Sequence, residues 1–334
     1  LPGGERGPGR RPQGYLDRRY GGRLLPSRTA ERVYWLGRFL ERSENTARLM
    51  LVRHQAILDL PKEVQPGWEI LLDVLGAHEN FAALPGVANE KNIISYVFGE
   101  RDNPSSIISS LTSARENMRT TREILPSEAW ERVNSLYLSV ARRSTKDLPR
   151  GMRHSVLTNI VQSSQQITGL LAGSMNQDAA YQFIRLGRNL ERADIITRLI
   201  DAASAGLMGD EEYIIPFRNV LWISVLQSLS AYQMYRLNVQ RNVSPQDVLG
   251  FLFQSPVFPR AVAHCLGEIE YSVKLLPDNA PVLKAAVKVR RKLKARDFSD
   301  QPGAALHDFI DQLQIQLEDV HVAIANTWFS PGES

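Results

Sequence analysis

The amino-acid sequence predicts an all-α fold: a multi-helix bundle of about eleven to twelve helices built from two related halves. Three observations lead there. Apolar residues recur with a helical period between capping residues, prolines and glycines. No stretch sustains the period-two alternation that a half-buried strand requires. A phrase at Leu36–Leu49, LGRFLERSENTARL, returns 150 residues later as LGRNLERADIITRL, with eight of its fourteen positions identical.

Taken in order, Ser27 opens a long helix to about Asp59, closed by Pro61, and Pro66 begins a shorter one. Asn103-Pro104 starts a helix running to Leu125, Ser127 one to about Arg143, and residues 150–173 read as another. Asn176 opens the helix that carries the second phrase, to about Gly206. Pro216, Ser244-Pro245, Phe258-Pro259, Ala280-Pro281 and Pro302 start five more, since proline suits the first helical turn. A weaker echo links Asn103–Leu111 to Phe258–Leu266 at an offset of 155. The expected organisation is a Gly/Arg/Pro-rich leader over residues 1–25, then one pseudo-symmetric bundle over 26–330. Its halves span about 26–145 and 176–328, with the two long helices near the centre.

Composition excludes several classes. Apolar residues make up 43% and charged residues 23% of the 334, the balance of a globular chain. No apolar run approaches the roughly 18 to 20 residues that span a bilayer, and the N-terminus has no apolar export segment, so the expected location is the cytoplasm. The net charge of +4 sits in residues 1–25, where six arginines face Glu5 and Asp17. The other 309 residues carry 34 basic and 34 acidic groups. A neutral body lacks the positive face that nucleic acid requires, and the leader reads as a flexible segment unable to bury apolar surface. Cys265, the one cysteine, cannot form an internal disulfide and reads as core filler.

Stepping 100° per residue from Leu36 puts Val33, Leu36, Phe39, Leu40, Ala47, Met50 and Leu51 on one core face. Glu44, Gly37, Arg48 and Glu41 follow in a stripe at its edge, and Asp194, Gly187, Arg198 and Glu191 repeat it. Arg38 and Arg42 fall further round, as Arg188 and Arg192 do in the second copy. Helix-surface ion pairs account for the charges: Arg38 with Glu41, and Glu44 with Arg48. They do not account for the glycines. A glycine inside a helix costs about 1 kcal/mol against alanine, so one at the same point of both copies implies that a backbone or a ligand comes close there. Columns facing each other would bury Glu41, Arg48, Glu191 and Arg198 as one charge network, which the sequence favours over a catalytic site.

Other chemistries have little support. Neither GxxxxGK[ST] nor GxGxxG occurs, so no cofactor is expected through the common nucleotide loops. Glu318-x-x-His321 is a single match where a di-iron bundle needs two, and no metal site is expected. His264 and Cys265 are neighbours on a helix and point apart, which excludes them as a base–nucleophile pair. The basic run from Lys284 to Arg296 spreads around its helix and reads as solvated surface, or else as a dock for an acidic partner.

The stretch PSRTAERVYWLGRFLERSENTARL resembles the start of the bacterial alpha-E family, helical proteins named for a Glu-Arg motif. The likeness continues through NPSSIISSLTSARENMRTTREILPSEAWERVNSLYL, FIRLGRNLERADIITRLID and FPRAVAHCL, and covers nearly the whole chain from Leu25. The resemblance implies a setting. Such proteins are encoded beside, or fused to, a circularly permuted ATP-grasp ligase, often with a transglutaminase-like cysteine peptidase. The implied role is accessory, binding the ligase or its peptide substrate during peptide synthesis, tagging or modification. The family motif falls on Arg38, Glu41, Arg42, Arg188, Glu191 and Arg192, and a second phrase on Arg115, Glu116 and Asn117, which Glu270-Tyr271-Ser272 does not repeat. An enzymatic alternative uses Glu41 and Glu191 as acid–base carboxylates, with the arginines gripping an anionic substrate.

Overall fold

The computed structural model describes residues 25–59, 67–143, 148–207, 218–298 and 303–329. The expected leader lies outside the described residues apart from Leu25, as do Pro61, Pro66, Pro216 and Pro302. Among the described residues there are fourteen α-helices and no strand. They are α1 (Ser27–Asp59), α2 (Ile70–Leu75), α3 (His78–Ala82), α4 (Glu90–Gly99), α5 (Ile107–Thr120), α6 (Ser127–Ala141) and α7 (Arg150–Ser174), followed by α8 (Ala179–Leu207), α9 (Arg218–Ser228), α10 (Tyr232–Val239), α11 (Pro245–Gln254), α12 (Val262–Lys274), α13 (Ala280–Ala295) and α14 (Ala304–Ile324). A π-turn over Ala325–Phe329 extends α14 and packs on α1.

Side-chain caps set several helix starts. Ser244 accepts from the backbone N–H of Asp247 ahead of Pro245, satisfying an otherwise orphaned donor of α11. Ser106 does the same for Ser109, so α5 begins at Ile107, three residues after Pro104. It stops at Thr120, short of the expected Leu125, and a 3-10 turn over Arg122–Ile124 follows. Helices α3, α4 and α10 had no sequence expectation; α4 is capped by Asn89, which accepts from Asn92.

The most extensive helix contact is between α1, of 33 residues, and α8, of 29. Around α1 lie α5, α7 and α9; around α8 lie α12, α14 and α2. Further out, α6 joins α5 to α7 as α13 joins α12 to α14, and α4 packs on α2 and α5 as α11 packs on α9 and α12. The contacts of α1–α7 thus recur in order among α8–α14. Helix α7, which the expected boundaries left between the halves, packs on α1 as α14 packs on α8.

Between Val33 and Arg53, where other helices pack around it, α1 has no exposed residue. Ser43, Glu44, Asn45 and Thr46 are as buried as Leu36, Leu40, Ala47 and Met50, while Phe39 and Leu51 are only half-buried. The basic run on α13 also differs from expectation. Val282, Ala286, Val289 and Leu293 face inward, and Lys284, Lys288, Arg290, Arg291 and Lys294 share the outward half as one basic face. Cys265 is fully buried, and burial pushes its thiol up to about 12, consistent with a filler role. No helix among the described residues is long and apolar enough to cross a membrane.

Candidate functional site

The two glycines of the repeated phrase sit where α1 and α8 cross. A Cβ on Gly37 would fall inside 3.0 Å of the Ile184 carbonyl oxygen and 3.1 Å from the Arg188 nitrogen. A Cβ on Gly187 would fall equally close to the Tyr34 carbonyl oxygen and 3.2 Å from the Arg38 nitrogen. Tyr34 and Ile184, like Arg38 and Arg188, are separated by the 150-residue offset of the phrase, so each helix meets the other in the same way. The close approach inferred from the glycines is therefore between backbones.

That approach lets each helix's carboxylate reach the other's arginines. Glu191, 4% exposed, receives Arg38 Nε at 2.6 Å and Arg42 through Nε at 2.5 Å and a terminal nitrogen at 3.0 Å. Glu41, 2% exposed, receives Arg192 bidentately at 2.8 and 2.7 Å, together with Arg260 at 3.1 Å and the Asn45 amide at 3.1 Å. Arg260 comes from the turn before α12 and extends the clasp, donating to Asn45 Oδ1 at 2.7 Å and to Glu44 at 2.6 Å. Glu44 also receives Arg48 at 2.9 Å, and Arg48 in turn donates to Ser230 at 2.6 Å. Asp194 receives Arg198 at 2.9 Å.

This arrangement corrects the pairing expected from the sequence. Arg38, Arg42 and Arg192 do not make surface pairs on their own helices; they make the bonds that cross between α1 and α8. Arg48 stays with Glu44, the pair expected from their spacing, and Arg198 likewise with Asp194, so neither joins the glutamate of the other helix as the facing columns would have had it. Arg115, Glu116 and Asn117 lie apart from the clasp. Arg115 bonds Asn134 at 2.7 Å and stacks on Trp130 and Tyr137, Glu116 pairs with Arg119 at the surface, and the Asn117 carbonyl accepts from Thr120 and Thr121. Arg260 and Asn45 are clasp residues that sequence reasoning missed; the one signal for Arg260 was its place in the Phe258–Leu266 echo.

The electrostatics are those of ionised, saturated carboxylates. Burial works to raise Glu41 and Glu191, but the adjoining guanidinium charges outweigh it and hold both at about 2, against an ordinary 4.5. Asp194 is raised by burial, with Arg198 only partly offsetting it. Arg38 is also locked on its aromatic side. It lies over Trp35 and donates to the Tyr34 hydroxyl, which is hydrogen-bonded to His321 Nδ1 at 2.8 Å. Burial holds the Tyr34 hydroxyl protonated to about 12 and, with Arg38, depresses His321. The Tyr34 hydroxyl thus engages one ring nitrogen of His321.

A pH dependence follows. Carboxylates whose folded values lie below their unfolded ones contribute stability that is complete above about 4.5 and lost as pH falls toward 2. Each is expected to contribute on the order of 3 kcal/mol. Urea unfolding between pH 7 and 2 checks this: the wild type should lose stability steeply across that window. Glu41→Gln and Glu191→Gln should start lower and show a shallower decline; parallel curves would contradict the assignment.

Two features lie beside the clasp. A narrow cleft among α1, α7 and α8 runs between Gly37, Glu41 and Arg188 and has room for about one water molecule. Near the far end of α8, Asp201, His307 and Asp311 place ligand-type atoms close enough for a metal ion. Here Nδ1 of His307 is 2.7 Å from Asp201 and Nε2 is 3.6 Å from Asp311, so carboxylates already engage both ring nitrogens. The Asp201 hydrogen bond raises His307, which suits a surface ion-pair chain.

Fold and site together define an all-helical bundle closed by a reciprocal arginine–glutamate clasp between its central helices. The chain belongs to the Alpha-E family, described as "a predicted alpha-helical domain with a conserved ER motif", which matches residues 25–329. It is similar to an uncharacterised protein of Mycobacterium bovis and to uncharacterised proteins from two strains of Mycobacterium tuberculosis. Each is 22% identical over 274 residues, covering 74% of this chain and 30% of the relative. The chain therefore spans less than a third of the length of these relatives. No solved structure matches it.

Proposed function

We propose that the chain is a rigid accessory module, one pseudo-symmetric domain of two related halves, that works with a circularly permuted ATP-grasp ligase in bacterial peptide synthesis, tagging or modification. The observation that carries this reading is the length of the relatives. A module that occupies about 30% of a longer polypeptide operates physically joined to other segments, and here the equivalent segment would be a separate ligase or an attached one. The transglutaminase-like peptidase is a second partner of the same system, and a peptide the shared substrate.

The clasp favours the accessory role over the enzymatic alternative. A general acid or base needs a value near the working pH and a free lone pair. Glu41 and Glu191 are held at about 2, and both oxygens of each are already taken by guanidinium groups. Co-expression with the neighbouring ligase tests the proposal: the two should co-purify, and ATP-dependent product should require this chain. Failure to associate with or without ATP and peptide would overturn it. Selective loss of turnover in a well-folded Glu41→Gln variant would instead favour the enzyme.

A further inference from the structure

The clasp is reciprocal in its glutamates but not in its arginines. On one side Arg38 and Arg42 both hold Glu191. On the other, Arg192 holds Glu41 as Arg42 holds Glu191, but Arg188, the counterpart of Arg38, does not. Arg260 takes its place on Glu41. The Arg188 Nε is left buried with no hydrogen-bond partner. A buried donor without an acceptor is costly, and more so when charged. Burial and the neighbouring Arg192 both disfavour the charge on Arg188. Arg48, Arg188, Arg192 and Arg260 surround Glu41 and Glu44, so this side of the clasp is two negative charges short.

Arg188 also lines the cleft, together with Gly37, Glu41, Thr168, Tyr181 and Arg185. Arg185 is engaged by Glu268, and the Glu41 charge is met by Arg192 and Arg260. Arg188 is then the cleft cation that, among the described residues, has no ion-pair or hydrogen-bond partner of its own, with the Glu41 charge already shared by two other arginines. We infer that this cleft binds a carboxylate group on the Arg188 guanidinium, in the relation that Glu191 has to Arg38. The cleft has room for about one water molecule, so one carboxylate oxygen enters it and the rest of the ligand stays outside. Thr168 of α7 lines the opposite side of the cleft. This inference rests on the geometry of the clasp and stands apart from the ligase.

The test uses the full chain and measures melting temperature at fixed pH and ionic strength. Acetate in place of chloride should raise it in a saturable way, and acetamide should not. Dipeptide acids with blocked N-termini should act like acetate, and their C-terminal amides should not, if the carboxylate arrives on a peptide. Acetate acting alone would identify a free small acid as the ligand. Arg188→Gln should remove the increment. Should that variant not fold, nitrogen-15 spectra of the wild type serve. One arginine Nε–H resonance should move with acetate, and it should be the one missing from Arg188→Lys. Equal melting in acetate and chloride, an increment that survives Arg188→Gln, or movement of a different arginine would each overturn the site.

Discussion

Glu191→Ala is expected to lower the unfolding free energy by about 3–5 kcal/mol, the cost of leaving buried charges without their partner. Its carboxylate is the shared acceptor of Arg38 and Arg42. Arg42 is partly exposed and can turn toward water. Arg38, 8% exposed, is pinned over Trp35 and against Tyr34 and cannot. The loss should therefore fall mainly on Arg38, and a double-mutant cycle checks this. Glu191→Ala combined with Arg38→Met should recover much of the loss, because the stranded cation goes with its partner. The same glutamate change combined with Arg42→Met should recover less. Urea denaturation of the wild type, the three single variants and the two double variants measures both couplings, and additive effects at Arg38 would show that the clasp contributes nothing as a pair. Glu116→Ala is the control. Its pair with Arg119 is solvent-exposed and its loss should change stability little.

How far the sequence could carry the clasp depends on what a helical projection assumes. Long helices with strong punctuation were legible: Ser27–Asp59 is as expected, and Ser244-Pro245 and Ser127 mark true starts. Helix α3, at five residues, is too short to show a period, and α4 follows a Gly- and Pro-containing stretch that reads as loop. The glycine argument also held, because a helical glycine at matching points of two copies has few explanations other than a close approach. The partners of the glutamates were not legible. Projecting α1 onto a wheel presumes one buried and one solvated side, which sends Arg38 and Arg42 outward. With α5, α7, α8 and α9 around it, α1 has no exposed residue between Val33 and Arg53, and the arginines far from the apolar face meet α8 instead. Arg260 had no counterpart to draw attention to it, since Ser105 stands at the equivalent place in the first echo.

Gly37→Ala and Gly187→Ala should be the most damaging single-methyl changes in the chain, against the ordinary preference of helices for alanine. In an exposed helix the substitution would gain about 1 kcal/mol. Here the added Cβ meets a backbone carbonyl oxygen closer than real Cβ atoms come, and a backbone cannot swing aside as a side chain can. Overpacking of a filled core costs about 1–3 kcal/mol. The cost here should lie at or above the top of that range, because separating α1 from α8 also stretches the bonds to Glu41 and Glu191. The two effects can be told apart. If the methyl acts through separation, Gly37→Ala and Glu191→Ala should be strongly non-additive, since the first has already loosened what the second removes. If the methyl acts only by local crowding, their losses should sum. Gly173→Ala provides the reference: a Cβ there meets nothing within 4 Å, so the helix preference alone should act and stability should rise. A Gly37→Ala protein as stable as the wild type would mean that the helices do not cross where the two phrases meet.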